Sequence, residues 1–149
     1  MKKLLSILLA LSLCLVCVLS LAETAVQVVE TSVPSTAREG IAIPAYVTLP
    51  ADYDPETATG LVVMLHGHGG NHNEWGGYDV ISNGVAANGK IVVTFDFPGC
   101  GESTESFQLN TQSNMKQDVL DVIASMKDRY KIDSVVAFGY SMGGRILLL

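Results

Sequence analysis

The sequence predicts an α/β fold: an open sheet in which a β-hairpin leads into parallel strands joined by crossover helices. Three observations predict it. Two runs rich in β-branched and apolar residues, 25–33 and 41–49, flank a turn-forming segment that begins at Pro34. Beyond Gly60 come three short apolar runs, 61–65, 90–95 and 134–138, of the kind found in strands covered on both faces. Helical patterns separate these runs, and strand–helix–strand–helix–strand calls for parallel pairing with right-handed crossovers.

The chain starts outside that fold. Met1-Lys2-Lys3 is a basic n-region, residues 4–19 are apolar apart from two serines and Cys14 and Cys17, and Ser20-Leu21-Ala22 presents small residues at a cleavage site. Residues 1–22 therefore read as a secretory signal peptide, with 23–149 as the mature chain and a secreted or extracytoplasmic destination. An uncleaved anchor is the other reading, but the run is short for a span. A lipoprotein signal would want a small residue before the cysteine, where Leu13 and Val16 stand.

Loss of Lys2 and Lys3 takes the formal charge from −6 to −8. That argues against nucleic acid or an anionic membrane surface as partner. No stable membrane insertion is expected after cleavage. The mature chain keeps one cysteine, Cys100, so it can form no internal disulfide.

The hairpin occupies 25–49, and Pro44 inside its second run suggests an edge position or a bulge. Residues 51–60 read as a polar surface loop. After the strand at 61–65 comes a glycine-rich loop, then a helix over 78–87 that Asn88-Gly89 ends. The strand at 90–95 leads into a loop over 96–106. Residues 111–130 form a helix, because Met115, Val119, Val122, Ile123, Met126 and Tyr130 share one face. The strand at 134–138 is followed by a helix over 142–149.

Between those last two elements lies Gly139-Tyr140-Ser141-Met142-Gly143-Gly144. A G-x-S-x-G pentapeptide after a buried strand and before a helix is the pattern of a nucleophile elbow. A serine on a tight turn stands clear of the backbone, and flanking glycines let strand and helix approach without Cβ clashes. The helix then aims its first N–H groups at a developing oxyanion.

The chain resembles the α/β-hydrolase family at three loops in order: the strand and His-Gly loop 61–70, the D-x-x-G-x-G-x-S loop 96–103, and the elbow 139–144. Within the family it is similar to feruloyl and cinnamoyl esterases, and nearly as similar to the serine-aminopeptidase and monoacylglycerol-lipase branch. The resemblance implies Ser141 as nucleophile of an ester hydrolase, with the backbone N–H groups of Met142 and His68 as oxyanion donors. The substrate would be a small-molecule ester or other acyl compound, with no cofactor and no metal. It also implies a triad acid and histidine that follow the serine in the chain. Such residues do not lie between Ser141 and Leu149. The expectation is an N-terminal half of an α/β-hydrolase sheet, truncated after the elbow, inactive and poorly folding as given. A non-catalytic ligand-binding relative is the alternative from another class.

The other reactive side chains invite separate readings. His66-x-His68 with His72 resembles a metallo-β-lactamase start, but Gly70 and Asn71 stand where that motif has Asp-His. His66 is expected to orient its own loop by a hydrogen bond, with His68 and His72 lining a mouth. Asp96 is expected to bond the loop that follows it, and Cys100 to be inert. Gly69, Gly70 and Asn71 give an uncharged pocket entrance, and Trp75 and Tyr78 line that pocket or cover the helix.

Overall fold

A computed structural model of the protein describes residues 26–149. The signal-peptide reading of 1–22, with Cys14 and Cys17, lies outside the described residues. Five strands form one sheet in the order β1-β2-β4-β3-β5. These are β1 Gln27–Pro34, β2 Ala42–Leu49, β3 Thr59–Leu65, β4 Ile91–Phe95 and β5 Ile132–Gly139. The β1–β2 hairpin is antiparallel and β2 joins β4 antiparallel, while β4–β3 and β3–β5 are parallel. The helices are α1 Gly77–Ala86, α2 Gln112–Arg129 and α3 Met142–Ile146.

Side-chain alternation sorts the core into two layers. Leu61, Val63, Leu65, Ile91, Val93 and Phe95 point to the face covered by α2 and α3, against Met115, Val119, Val122, Met126 and Ile146. Met64 and Val92, one position out of phase, pack on Tyr78 of α1. All five residues of β4 are buried, as a strand with helices on both faces requires. Each fully buried Leu, Val, Ile or Phe contributes about 1.5–3 kcal/mol.

Helix α2 has the face its periodicity predicts, and Thr111 caps it by accepting from the Asn114 N–H at 3.3 Å. The same helix buries two carboxylates that apolar periodicity does not foresee, Asp118 and Asp121. Both reach the β1–β2 connection. Asp118 pairs with Arg38, and Asp121 accepts from the N–H and hydroxyl of Thr36, each at 2.7 Å.

Pro44 corrects its sequence reading. It lies neither on an edge strand nor at a bulge, since β2 has a neighbour on each side and Pro44 stays in register with Ser32. Its carbonyl accepts from the Asp96 N–H at 3.0 Å, one step past the last β2–β4 pair, Ala45–Phe95. The missing donor therefore faces the point where the ladder ends, and no internal rung is lost. At the other side of the sheet, β5 pairs with β3, and no described strand pairs with its far edge. Val136 and Phe138 stand exposed there.

Candidate active site

Strand β5 delivers the chain into a bend at Ser141, whose φ of 48° and ψ of −110° place a non-glycine residue in a strained conformation. Such a backbone costs on the order of 1–3 kcal/mol and is held only by its surroundings. Those surroundings are backbone. The Tyr140 N–H donates to the Leu65 carbonyl at 3.0 Å, and the Gly143 N–H closes the turn on Tyr140 at 2.8 Å. A Cβ on Gly139 would strike the backbone of Gly143 and Gly144, and one on Gly143 would strike the carbonyl oxygens of Leu65 and His66. The two glycines therefore let α3 sit against the end of β3. Gly143→Ala is expected to cost about 1–3 kcal/mol by forcing those backbones apart, read as a lowered unfolding midpoint of the complete protein.

The loop after β3 meets this bend. Its four successive amides divide into two pairs. The Gly67 N–H donates to the Glu74 carboxylate and the Gly70 N–H to the Gly67 carbonyl. The His68 and Gly69 N–H groups have no hydrogen-bond acceptor among the described residues. Likewise the Met142 N–H, at the first position of α3, has no helical partner to donate to. His68, Ser141 and Met142 line one cleft of about 510 Å³. The three sequence-predicted site residues are thus brought together. The His68 ring packs edge-on against Phe107, with centroids 5.3 Å apart.

The remaining groups take fixed places. His66 is fully buried: its Nδ1 donates to the Gly67 carbonyl at 2.7 Å, and its Nε2 accepts from the Phe97 N–H at 3.1 Å. Burial pushes its pKa down, so it stays neutral, and neither nitrogen is free for a proton or a metal. Asp96 is buried and accepts from the Glu102 N–H at 2.9 Å, which fixes the following loop as expected. Gly101, at φ 51°, lies so close that a Cβ would overlap the Asp96 carboxylate. Burial pushes the Cys100 thiol up, away from the reactive thiolate.

Two readings of the pocket need correction. His72 does not line the Ser141 cleft; its backbone N–H and Nδ1 both bond Asp96, and its ring stacks on Tyr46 with centroids 3.6 Å apart. Of the two places open to Trp75 and Tyr78, neither residue takes the cleft: Tyr78 is buried on α1, its hydroxyl donating to the Leu65 carbonyl at 2.7 Å, and Trp75 stands exposed just before that helix. Nor do Gly69, Gly70 and Asn71 line the cleft; its charged lining residue is Arg145. Glu74 was not foreseen either. It sits at φ 43° beside Trp75 at φ 59°, in a bend that sequence gives no sign of.

A model of the alpha/beta hydrolase fold matches residues 60–149, more than half of the chain. The chain belongs to the alpha/beta-hydrolase family. Among solved members, it overlays on the ferulic-acid-bound esterase Est1E of Butyrivibrio proteoclasticus with a TM-score of 0.70 and 21% identity, covering 80% of this chain and 45% of that one. The esterase EaEST of Exiguobacterium antarcticum gives a TM-score of 0.59 at 25% identity, covering 80% and 38%. A probable alcohol acetyltransferase of Cyberlindnera fabianii is 35% identical over 89 residues, which is 59% of this chain and 22% of that protein. The chain thus spans less than half of each of these relatives. The mixed sheet of this alpha/beta hydrolase is a partial one, and its structural neighbours include esterases.

Proposed function

We propose that the protein is a secreted serine hydrolase that cleaves carboxylic esters through an acyl-enzyme on Ser141. The observation that carries this reading is the strained bend at Ser141 in one cleft with two unbonded backbone amides, His68 and Met142. A binding module has no use for a serine held at positive φ.

In the reaction, Ser141 Oγ attacks the ester carbonyl carbon while its proton passes to a general base. The carbonyl oxygen becomes an oxyanion held by the two N–H groups, each such donor being worth about 3–4 kcal/mol. The C–O bond to the alcohol breaks, and the alcohol leaves with the proton from the base. Water then repeats the cycle on the acyl-serine, releasing the acid and restoring Ser141. His66 and His72 are committed to structural bonds, so neither is the base. The base and its carboxylate partner are assigned to the part of the esterases' length that this chain does not span.

A second reading shares the first half of this chemistry. The acetyltransferase relative, by its name, passes an acyl group to an alcohol. If an alcohol replaces water as acceptor, ethanol added to the assay yields an ethyl ester. Hydrolysis in the peptidase branch would instead cleave aminoacyl anilides.

The test is covalent labelling. The complete protein treated with a fluorophosphonate is expected to carry one adduct, on the peptide that contains Ser141. An unlabelled Ser141 in a folded, complete protein overturns the proposal.

A further inference from the structure

We infer that Arg145 selects substrates with a carboxylate on the acyl chain, so that the preferred esters are half-esters of dicarboxylic acids. The inference deepens the reading of Ser141 as nucleophile and rests on it.

The cleft that holds Ser141 is lined by one formally charged side chain, Arg145. That is an unusual choice for a chain with 15 acidic residues against 9 Lys and Arg. Arg145 also differs from Arg38, which is locked between two carboxylates. Among the described residues Arg145 makes no ion pair, and its side chain is exposed to the cleft. With no carboxylate against it among the described residues, the guanidinium is open to an anionic group in the cleft.

Its position relative to the reacting atom is set by the helix. Arg145 lies four residues after Ser141, and its N–H donates to the Ser141 carbonyl at 3.2 Å. Ser141 stands just before the first residue of α3 in a non-helical conformation, and Arg145 lies about one turn into the helix that follows it. Arg145 and Ser141 line the same cleft. Gln112, at the start of α2, lines the cleft as well and adds a neutral donor.

The chemistry favours a monoanion. A guanidinium presents parallel N–H groups that match a carboxylate two to two, and charge-assisted bonds are about twice as strong as neutral ones. A single cation suits one negative charge better than a phosphate dianion. An alkyl acyl group, by contrast, would strip water from the guanidinium and return no bond. A short acyl chain that ends in a carboxylate, as in a succinyl or glutaryl half-ester, would bring such a monoanion into the cleft that holds Ser141.

The experiment compares two nitrophenyl esters that share a leaving group, the glutarate half-ester and the uncharged butyrate, with the complete protein. Wild type is expected to favour the half-ester in kcat/KM by about tenfold or more, as hydrogen bonds to charged groups warrant. In Arg145→Gln that ratio is expected to fall about tenfold, mainly through a higher KM for the half-ester, and Arg145→Lys should restore part of it. Salt near 0.5 M should shrink the wild-type ratio by screening. A wild type indifferent to the charge, or a ratio that Arg145→Gln leaves unmoved, overturns the inference. Fluorophosphonate labelling of Ser141 in the same preparation separates the two readings. Labelled serine with no charge preference sinks only the role of Arg145, whereas unlabelled serine with neither ester cleaved sinks the nucleophile itself.

Discussion

Ser141→Ala in the complete protein is expected to lower kcat for an activated ester by about 10⁴-fold or more and to abolish fluorophosphonate labelling, while leaving the unfolding midpoint nearly unchanged. The reasoning separates the hydroxyl from the bend. The strain at Ser141 lies in its φ and ψ, and the bend is held by Gly143 on Tyr140 and Tyr140 on Leu65, all main-chain bonds. Alanine keeps the Cβ and adds no clash, so the backbone has no reason to relax. What disappears is the attacking oxygen, and with it the covalent route. The two amides would still bind a developing oxyanion, which is why a residual rate above that of water is expected. Substituting the side chain of Met142 should cost far less, since its contribution is an N–H that any residue but proline provides. An alanine variant that turns over ester at the wild-type rate, or still takes up the label, would remove Ser141 from the mechanism.

The elements most legible in the sequence were those fixed by local pattern. The strands and α2 follow from apolar runs and from a helical face that begins at Met115, and the structure places each within a few residues of the expected bounds. The elbow was legible because its chemistry demands glycine at two positions, and both glycines contact opposing backbone. What escaped was decided by particular distant partners. Pro44 was misplaced because the end of its ladder is set by β4, nearly fifty residues on. Asp118 and Asp121 look like solvent-facing breaks in an apolar stripe until Arg38 and Thr36 arrive from the hairpin loop. Glu74 acts on an amide seven residues earlier through two left-handed residues that no propensity favours. Arg145 reads as an ordinary helix residue, and only the cavity shows which way it faces.

Arg38 carries the largest expected effect on stability: Arg38→Met should cost about 3–5 kcal/mol at pH 8. Its Nε donates to Glu105 at 2.6 Å and its Nη2 to Asp118 at 2.7 Å, with the three side chains 9%, 4% and 0% exposed. Methionine fills much of the same volume but leaves two buried carboxylates facing each other without a cation. The pH dependence follows from Asp118, whose carboxyl burial pushes up to about 6 against the pull of Arg38. Unfolded, the same group titrates near 4. Between these values the folded protein holds a proton that the unfolded chain releases, so this group makes stability fall as pH rises from about 4 to 6, and adds no slope above. Without Arg38 the carboxyl loses its stabilising cation, its pKa rises further, and the window stretches toward neutral. The cost of Arg38→Met should therefore be largest at pH 8 and shrink toward pH 5, where Asp118 is protonated. Urea unfolding at the two pH values tests this, and an equal cost at both would mean that the guanidinium acts through packing rather than charge. A triple variant, Arg38→Met with Glu105→Gln and Asp118→Asn, should recover most of the loss, because no charge is then left buried. The cluster also bears on the cleft, since it ties the loop that ends in Phe107 and Asn110 to α2, and His68 rests on Phe107.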